Sequence, residues 1–191
     1  MTAESSGRPM RADARRNRAR LLAEADTVLR EQGTGAPLEQ IARRAGVAVG
    51  TLYAHFPTRR ALLLELLRER HEALFALGDG LTADADAPPG EALLRWARAV
   101  ADHGAVYSGL SDELLGGLED PESELHEACA RLSAAGTTLT ERARTAGQIR
   151  AGVTADDVFA LISAAAWTRD RLSDPARADH MTDLVLSALR P

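Results

Sequence analysis

Residues 49–56 carry small and hydrogen-bonding side chains on a predicted helical face where a solvated helix usually carries charges. Successive helical residues rotate by about 100°, so Gly50 and Ala54 point away from the apolar Leu52, with Thr51 beside them. Gly and Ala allow close approach of a backbone, and Thr can donate, accept or touch a thymine methyl group. The pattern is typical of a slim helix that enters the major groove of DNA. The alternative is an ordinary helical hairpin whose outer face is only solvated.

Two other segments begin like a zinc site but lack the second metal ligand. The pentapeptides "HEALF" and "HEACA" start at His71 and His126, and their fifth residues are Phe75 and Ala130 instead of the histidine that H-E-x-x-H needs. No serine lies in a G-x-S-x-G motif, and no glycine-rich phosphate loop follows a strand. We therefore expect a protein that is not an enzyme and has neither a metal site nor a cofactor.

Helical periodicity predicts three short elements that hold the slim face. Apolar residues recur at helical spacing over 14–32, and shorter helices are expected at 38–45 and 49–56. Gly46 lies where the chain must turn between the last two, and glycine tolerates a positive φ. Thr58 is expected to cap a longer fourth helix. The two short helices have the proportions of a helix-turn-helix.

The remainder of the chain predicts longer helices and no sheet. A Gly-, Asp- and Pro-rich segment at 78–90 is expected to be a linker. Later helices are expected to begin at Asp120–Pro121, Thr154 and Asp174, where capping residues precede apolar stripes. The total is eight to ten helices, an all-α fold.

Charge is distributed unevenly along the chain. Residues 1–60 hold 11 arginines and 6 acidic residues, whereas residues 61–191 hold 12 arginines and 22 acidic residues. A basic end suggests a polyanion-binding segment. We expect a mobile Arg-rich arm at 1–13, a helix-turn-helix domain at 14–60 and a larger helical domain at 61–191.

Residues 38–63, "LEQIARRAGVAVGTLYAHFPTRRALL", resemble the TetR/AcrR family of bacterial transcriptional regulators. The resemblance rests on the pattern I-A, A-G-V, G-T-L-Y and H-F, followed by a basic residue before A-L. It implies an all-α homodimer with an N-terminal three-helix DNA-binding head. A larger C-terminal helical domain would bind a ligand and form the dimer interface.

The arginines beside the slim face, together with the resemblance, give a set of expected DNA contacts. Base edges would be met by 48–51, and phosphates by aromatic, histidine and arginine side chains; the whole set is Arg15, Arg16, Ala48, Val49, Gly50, Thr51, Tyr53, His55, Arg59 and Arg60. Two positions depart from the family pattern, since Pro37–Leu38 and Ala48 stand where Ser or Thr is usual. Each departure loses a side-chain cap worth on the order of 1 kcal/mol.

The resemblance also places two sets of residues in the larger domain. Buried aromatics with polar tips are what small-molecule pockets use, and the candidates are His71, Phe75, Trp96, His103, Tyr107, Cys129, Phe159 and Trp167. For each of them plain core packing is the alternative. The last two helices would dimerise through apolar stripes that include Leu161, Ala165, Met181, Leu184, Val185 and Ala188.

The expected function is a sequence-specific DNA-binding regulator, a repressor that a small hydrophobic or amphipathic ligand releases from a palindromic double-stranded operator. Control by a protein partner without a ligand is one alternative. A helical ligand-binding protein or enzyme with a vestigial head is another. No apolar run is long enough to span a bilayer, and the N-terminus has no apolar signal segment. With Cys129 as its one cysteine, the chain is expected in a reducing cytoplasm, where a packed thiol is favoured over a redox sensor.

Overall fold

The computed structural model describes residues 7–191, with side chains from Asp13 onward, and this part of the chain is helical without any strand. The all-α prediction is therefore confirmed. The helices are α1 (Gly7–Gln32), α2 (Leu38–Arg44), α3 (Val49–His55), α4 (Arg59–Ala83), α5 (Pro89–Gly104), α6 (Leu110–Glu119), α7 (His126–Thr145), α8 (Ala155–Asp170) and α9 (Pro175–Ser187).

The chain divides into two compact units within α4. The first unit, here called the head, is Met1–Leu66, and the second, here called the body, is Leu67–Pro191. The division lies six residues beyond the boundary expected at 60/61. Because it falls inside a continuous helix, no linker separates the two units.

The predicted linker at 78–90 is wrong over most of its length. Helix α4 continues to Ala83 and α5 begins at Pro89, so only 84–88 lie outside helices. Gly78 lies inside α4 because its missing Cβ makes room: an added Cβ would stand 3.1 Å from the Cβ of Ala135. Packing against α7 therefore outweighs the helix penalty of about 1 kcal/mol that glycine carries.

Helix α1 begins earlier than the sequence predicted. It starts at Gly7 instead of near residue 14, so residues 7–13 of the expected mobile arm are helical. Proline is tolerated in the first turn of a helix, where the backbone N–H has no intrahelical partner, and Pro9 stands there. The arm's residues 1–6 lie outside the described residues. Arg15 and Arg16 are consequently part of α1.

The head is built on a small apolar core from its four helices. The face predicted on α1 is buried and meets residues of the later helices, and the core comprises Leu21, Ala25, Val28, Leu29, Ile41, Ala42, Leu52, Phe56, Leu62 and Leu63. At its edge, the Arg44 guanidinium donates to Glu24 Oε2 at 3.0 Å and to Glu31 Oε2 at 2.9 Å. These exposed ion pairs tie α2 to α1 without adding much stability.

The body packs residues of α5, α7, α8 and α9 into one apolar core that includes Trp96. The indole is fully buried and meets Phe159 edge-on, with ring centroids 5.7 Å apart. Gly136 on α7 makes this packing possible, since a Cβ there would lie 2.4 Å from Trp96 Cη2 and 2.7 Å from Phe159 Cζ. Interiors are close-packed, so a single methyl group at this point is not accommodated.

Three of the predicted helix starts are confirmed and one is wrong. The Thr58 hydroxyl accepts from the Ala61 N–H at 3.0 Å, Thr154 forms a capping box with Asp157, and the Asp174 carboxylate accepts from the Ala176 N–H. The helix expected at Asp120–Pro121 begins instead at His126. There the Asp120 carboxylate accepts from the Glu122 N–H at 3.1 Å, which makes a local turn that competes with the helix.

Among the described helices, none combines the length and the apolar character needed to cross a membrane.

Candidate functional sites: a nucleic-acid interface and a cavity

The turn between α2 and α3 has the geometry that the sequence predicted. The Val47 N–H donates to Ala42 O at 3.0 Å and the Gly46 N–H to Arg43 O at 3.1 Å, which is the Schellman pattern at a helix end. Gly46 has a φ of +64°. An added Cβ would lie 2.7 Å from Nη2 of Arg20, the nitrogen that donates to Ala45 O. Glycine is therefore required here for both conformation and space.

Helix α3 buries one face and leaves the predicted slim face open. Leu52 is fully buried, whereas Tyr53 is 41% exposed and Ala54 is exposed. No atom lies within 4 Å of where a Cβ on Gly50 would stand. The outer surface of α3 offers backbone, methyl groups and the half-buried Thr51 hydroxyl, and it is not covered by the rest of the head. A partner can therefore come close to the backbone of α3 on this side.

Neither helix of the motif has a side-chain cap at its N-terminus. Pro37 precedes α2 and Ala48 precedes α3, both in extended conformation. The loss of two caps expected from the sequence is therefore seen. Ala48 and Val49 are exposed at the start of α3, beside Gly50.

Arg59 has a role inside the head that sequence reasoning missed. Its Nη1 donates to Ala36 O at 2.8 Å and also to Thr34 O, so the half-buried guanidinium holds the loop between α1 and α2. A guanidinium has five N–H donors, which leaves others for a phosphate. The only sequence signal was its position just after Pro57–Thr58, which gave no indication of the two carbonyl groups.

The other residues expected to contact phosphate differ in solvent exposure and in their partners within the head. The Tyr53 hydroxyl lies 3.4 Å from Glu39 Oε1, a long contact that aligns the ring with α2. His55 and Arg60 are half-buried. Arg15 and Arg16 are exposed on α1, and Arg16 pairs with Asp13.

The head also has an exposed arginine on α2 that was not among the expected DNA contacts. Arg43 is exposed on α2, one residue before the Arg44 that ties α2 to α1. Arg18 does not reach outward in the same way, because it pairs with Glu65 at 2.9 Å and lies over the Phe56 ring at 5.5 Å.

The body contains a mostly apolar cavity of about 80 Å³. Its walls come from α5, α6, α7 and α8, and the lining residues are Val100, His103, Gly104, Ser111, Leu114, Leu115, Leu118, Cys129, Leu132, Ser133, Phe159, Ile162, Ser163 and Ala166. None of them is an acid, an arginine or a lysine. The volume is well below the roughly 300–1,000 Å³ of typical small-molecule sites, so a ligand of more than a few atoms must displace a wall.

The cavity brings together three of the eight expected ligand-site residues, His103, Cys129 and Phe159. Trp96 and Tyr107 are buried outside its lining, as are His71 and the half-buried Phe75. The Cys129 thiol donates to Leu114 O at 3.3 Å, which confirms a packed thiol. The leucines of α6 that form a wall were missed because α6 is short and follows an irregular segment.

The expectation that Trp167 lines a ligand cavity is wrong. Its side chain is 54% exposed, and the Arg171 guanidinium stacks on it at 4.0 Å. The neighbouring Ala165 and Ala166 occupy the buried face of α8. Since successive helical residues rotate by about 100°, Trp167 is carried to the outer face.

Two buried imidazoles lie against each other beside the cavity. His71 on α4 is 3% exposed and His103 on α5 is 2% exposed, with ring centroids 4.8 Å apart. Neither nitrogen of either ring has a hydrogen-bond partner. Burial lowers the pKa of His71, and burial with the nearby His71 and Arg70 lowers the pKa of His103 to about 3. Both rings are therefore neutral at pH 7.

The residues expected at a dimer interface fall into two groups. Ala165 is 0% exposed and packs inside the body, so its assignment to the interface is wrong. At that position the apolar stripe on α8 belongs to the core that α8 shares with α5, α7 and α9. Leu184 and Ala188 are exposed on or just after α9, and Leu161, Met181 and Val185 are half-buried. Leu184 and Trp167 are large apolar side chains open to solvent.

In the part of the chain that the structure describes, no group of three or more His, Cys, Asp or Glu side chains could hold a metal ion.

Two family models match the chain. Residues 21–66 match bacterial regulatory proteins of the tetR family, and residues 88–191 match the C-terminal domain described as transcriptional regulator SbtR-like. Together they cover the helix-turn-helix and the helices α5 to α9. No curated protein matches the chain.

Solved structures share the fold along nearly the whole chain. The TetR transcriptional regulator SCO0520 from Streptomyces coelicolor is 37% identical, covers 91% of this chain and 98% of its own, and has a TM-score of 0.56. The ketosteroid transcriptional regulator KstR2 of Mycobacterium tuberculosis is 23% identical over 91% and 95%, with a TM-score of 0.63. The regulator FadR from Bacillus subtilis, solved with stearoyl-CoA, is 19% identical over 91% and 100%, with a TM-score of 0.55.

Proposed function

Because the chain belongs to the TetR family of bacterial transcriptional regulators, we propose that it is a homodimeric repressor that a small molecule releases from a palindromic operator. The observation that carries the proposal is the open outer face of α3. Two heads related by a two-fold axis bind two half-sites whose spacing matches the heads.

The outer face of α3 supports a division of the DNA contacts. Ala48, Val49, Gly50 and Thr51 meet base edges, because their small side chains bring the backbone close to the floor of the major groove. The phosphate contacts, which set the register, come from Tyr53, His55, Arg60, Arg15 and Arg16. Arg59 is chiefly a positioning residue that holds the loop before α2, and its remaining N–H groups face a phosphate.

A matched pair of charge insertions tests the interface. Gly50 and Gly80 are both helical, and neither has an atom within 4 Å of an added Cβ. Gly50→Glu places a carboxylate on the proposed groove face, whereas Gly80→Glu makes the same charge change in the body. Operators are first selected from fragments of genomic DNA, and binding is then measured by fluorescence anisotropy against salt concentration.

We expect Gly50→Glu to weaken operator binding by at least about a hundredfold, since the carboxylate meets base edges and phosphates. Gly80→Glu is expected to bind within about twofold of the wild type. Circular dichroism verifies that both variants are folded. Wild-type affinity in folded Gly50→Glu contradicts the assigned face.

Ligand control is supported by the cavity of the body. The fold accommodates a ligand in FadR from Bacillus subtilis, which was solved with stearoyl-CoA. In this chain the cavity of about 80 Å³ must enlarge. A ligand that binds only the enlarged form shifts the population away from the DNA-binding form by its differential affinity.

The dimer interface is supported by the exposed apolar side chains of α8 and α9, with Leu184 and Trp167 in place of the buried Ala165. Light scattering is expected to give twice the chain mass of 20.4 kDa. Leu184→Arg is expected to shift this mass towards that of the monomer, and an unchanged dimer would remove Leu184 from the interface.

We also propose that the protein catalyses no reaction and works in the cytoplasm, where its operator is. Support comes from the family, whose members regulate transcription.

A further inference from the structure

The lining of the cavity includes a buried imidazole that has no hydrogen-bond partner within the described residues. His103 lies on the cavity wall, is 2% exposed and has no hydrogen bond to either ring nitrogen. A buried donor or acceptor without a partner costs about 1–3 kcal/mol. His71, which contacts it, does not supply the bond. His103 is therefore a lining residue whose ring nitrogens are unsatisfied but buried, so a ligand reaches them only when the wall moves, as the small volume of the cavity also requires.

The rest of the lining decides what charge a ligand can carry. The other polar side chains are the hydroxyls of Ser111, Ser133 and Ser163, and the Ser111 hydroxyl already donates to Gly104 O at 3.2 Å. No lining side chain carries a charge, because burial holds the His103 ring neutral by lowering its pKa. A carboxylate or a phosphate would lose its hydration without gaining a counter-charge, which is costly.

We infer that the cavity takes an uncharged, mainly hydrocarbon ligand that carries a hydroxyl or carbonyl oxygen and hydrogen-bonds through it to the His103 imidazole. A neutral imidazole has one N–H donor and one acceptor nitrogen, so it serves a carbonyl as donor and a hydroxyl as either. The inference rests on the proposed ligand-binding role of the cavity and names the ligand class.

Four probes with the same six-membered carbon ring test the ligand class. They are cyclohexanol, cyclohexanone, methylcyclohexane and cyclohexanecarboxylate, which is ionised at about pH 7.5. Each is titrated into the full-length protein by calorimetry and by two-dimensional NMR of ¹⁵N-histidine-labelled protein. We expect cyclohexanol and cyclohexanone to bind and to shift the His103 ring signals. After correction for its larger gain on transfer from water, methylcyclohexane is expected to bind about tenfold more weakly than cyclohexanol, for want of one hydrogen bond. The carboxylate is expected to bind at least about a hundredfold more weakly than cyclohexanol.

Two leucine variants separate recognition from packing. His103→Leu removes the buried imidazole of the lining, and His71→Leu removes the neighbouring imidazole, which is equally buried but does not line the cavity. Both are expected to unfold at higher temperature than the wild type, because each loses unpartnered polar atoms. Only His103→Leu is expected to abolish the preference for cyclohexanol over methylcyclohexane.

The outcomes distinguish this inference from the proposed function. Carboxylate binding as tight as that of cyclohexanol, an unchanged alcohol preference in His103→Leu, or no binding by any of the four probes overturns the ligand class. Operator release is measured separately by anisotropy. Probes that bind as expected but never release the operator leave the ligand class standing and refute ligand-controlled repression.

Discussion

The buried His103 makes the folded protein sensitive to mild acid, and the size of the effect follows from its pKa. Burial, with the nearby His71 and Arg70, lowers that pKa from 6.5 to about 3. The unfolded chain therefore binds a proton as the pH falls through 6.5, whereas the folded chain does not. Stability is fully present above the unfolded pKa and is lost from there downwards, until the folded pKa is reached.

The loss between about pH 7.5 and about pH 5 is about 2 kcal/mol for this one group, because only the unfolded form titrates in that window. The magnitude hardly depends on the precise folded pKa, since any value well below 5 leaves the folded ring neutral. A loss of this size is a large part of the stability of an ordinary domain. His71, whose pKa burial also lowers, adds to the loss in the same direction.

The assay is urea unfolding at both pH values and at one fixed protein concentration, for the wild type, His103→Gln and His180→Gln. Gln does not titrate, so we expect the loss of free energy of unfolding between the two pH values to be smaller in His103→Gln by about 2 kcal/mol. His180 is exposed on α9, and its replacement is expected to leave the loss unchanged. An equal loss in wild type and His103→Gln would refute the reasoning, because it would mean that the folded ring is protonated as readily as the unfolded one.

Three other substitutions, two of them with a control variant, test a turn, a helix cap and a core contact. Stability is measured by urea unfolding, and DNA affinity is measured by operator binding. Gly46→Ala is expected to destabilise the head by about 1–2 kcal/mol, because φ is +64° there; Gly35→Ala, with open space and no positive φ, is expected to have little effect, and equal effects would contradict the turn geometry. Ala48→Ser is expected to stabilise α3 by about 1 kcal/mol through a side-chain cap and to tighten operator binding; weaker binding would show that position 48 cannot carry a hydroxyl in the complex. Gly136→Ala is expected to destabilise the body by about 1–3 kcal/mol or more through overpacking, whereas Gly80→Ala, with nothing within 4 Å, is expected to stabilise α4 by about 1 kcal/mol; effects of the same sign would refute the packing around Trp96.

Local signals in the sequence predicted the head well. The turn at Gly46 and the cap at Thr58 depend on interactions within a few residues, and the structure has both. The slim face of α3 follows from helical rotation relative to Leu52, which is buried as required. Features of this kind are fixed by local geometry and need no knowledge of distant contacts.

Residues whose partners are far away in sequence were assigned less well. An arginine at position 59 suggested a phosphate contact. Its structural role could not be predicted, because Arg59 donates to carbonyl groups 25 and 23 residues earlier in the chain. Ala165 and Trp167 lie two residues apart on α8, and only the packing of α8 against α5, α7 and α9 decides which of them is buried. A stripe of alanines with a tryptophan is compatible with either orientation.

The histidine pair is hidden from sequence for a different physical reason. His71 and His103 lie on α4 and α5, and for both of them the sequence left core packing as the alternative to a ligand contact. Packing was correct, but the absence of a hydrogen-bond partner can be recognised only when every neighbouring donor and acceptor is placed. A sequence pattern identifies which residues could bind a ligand, and the structure shows which of them has no other partner.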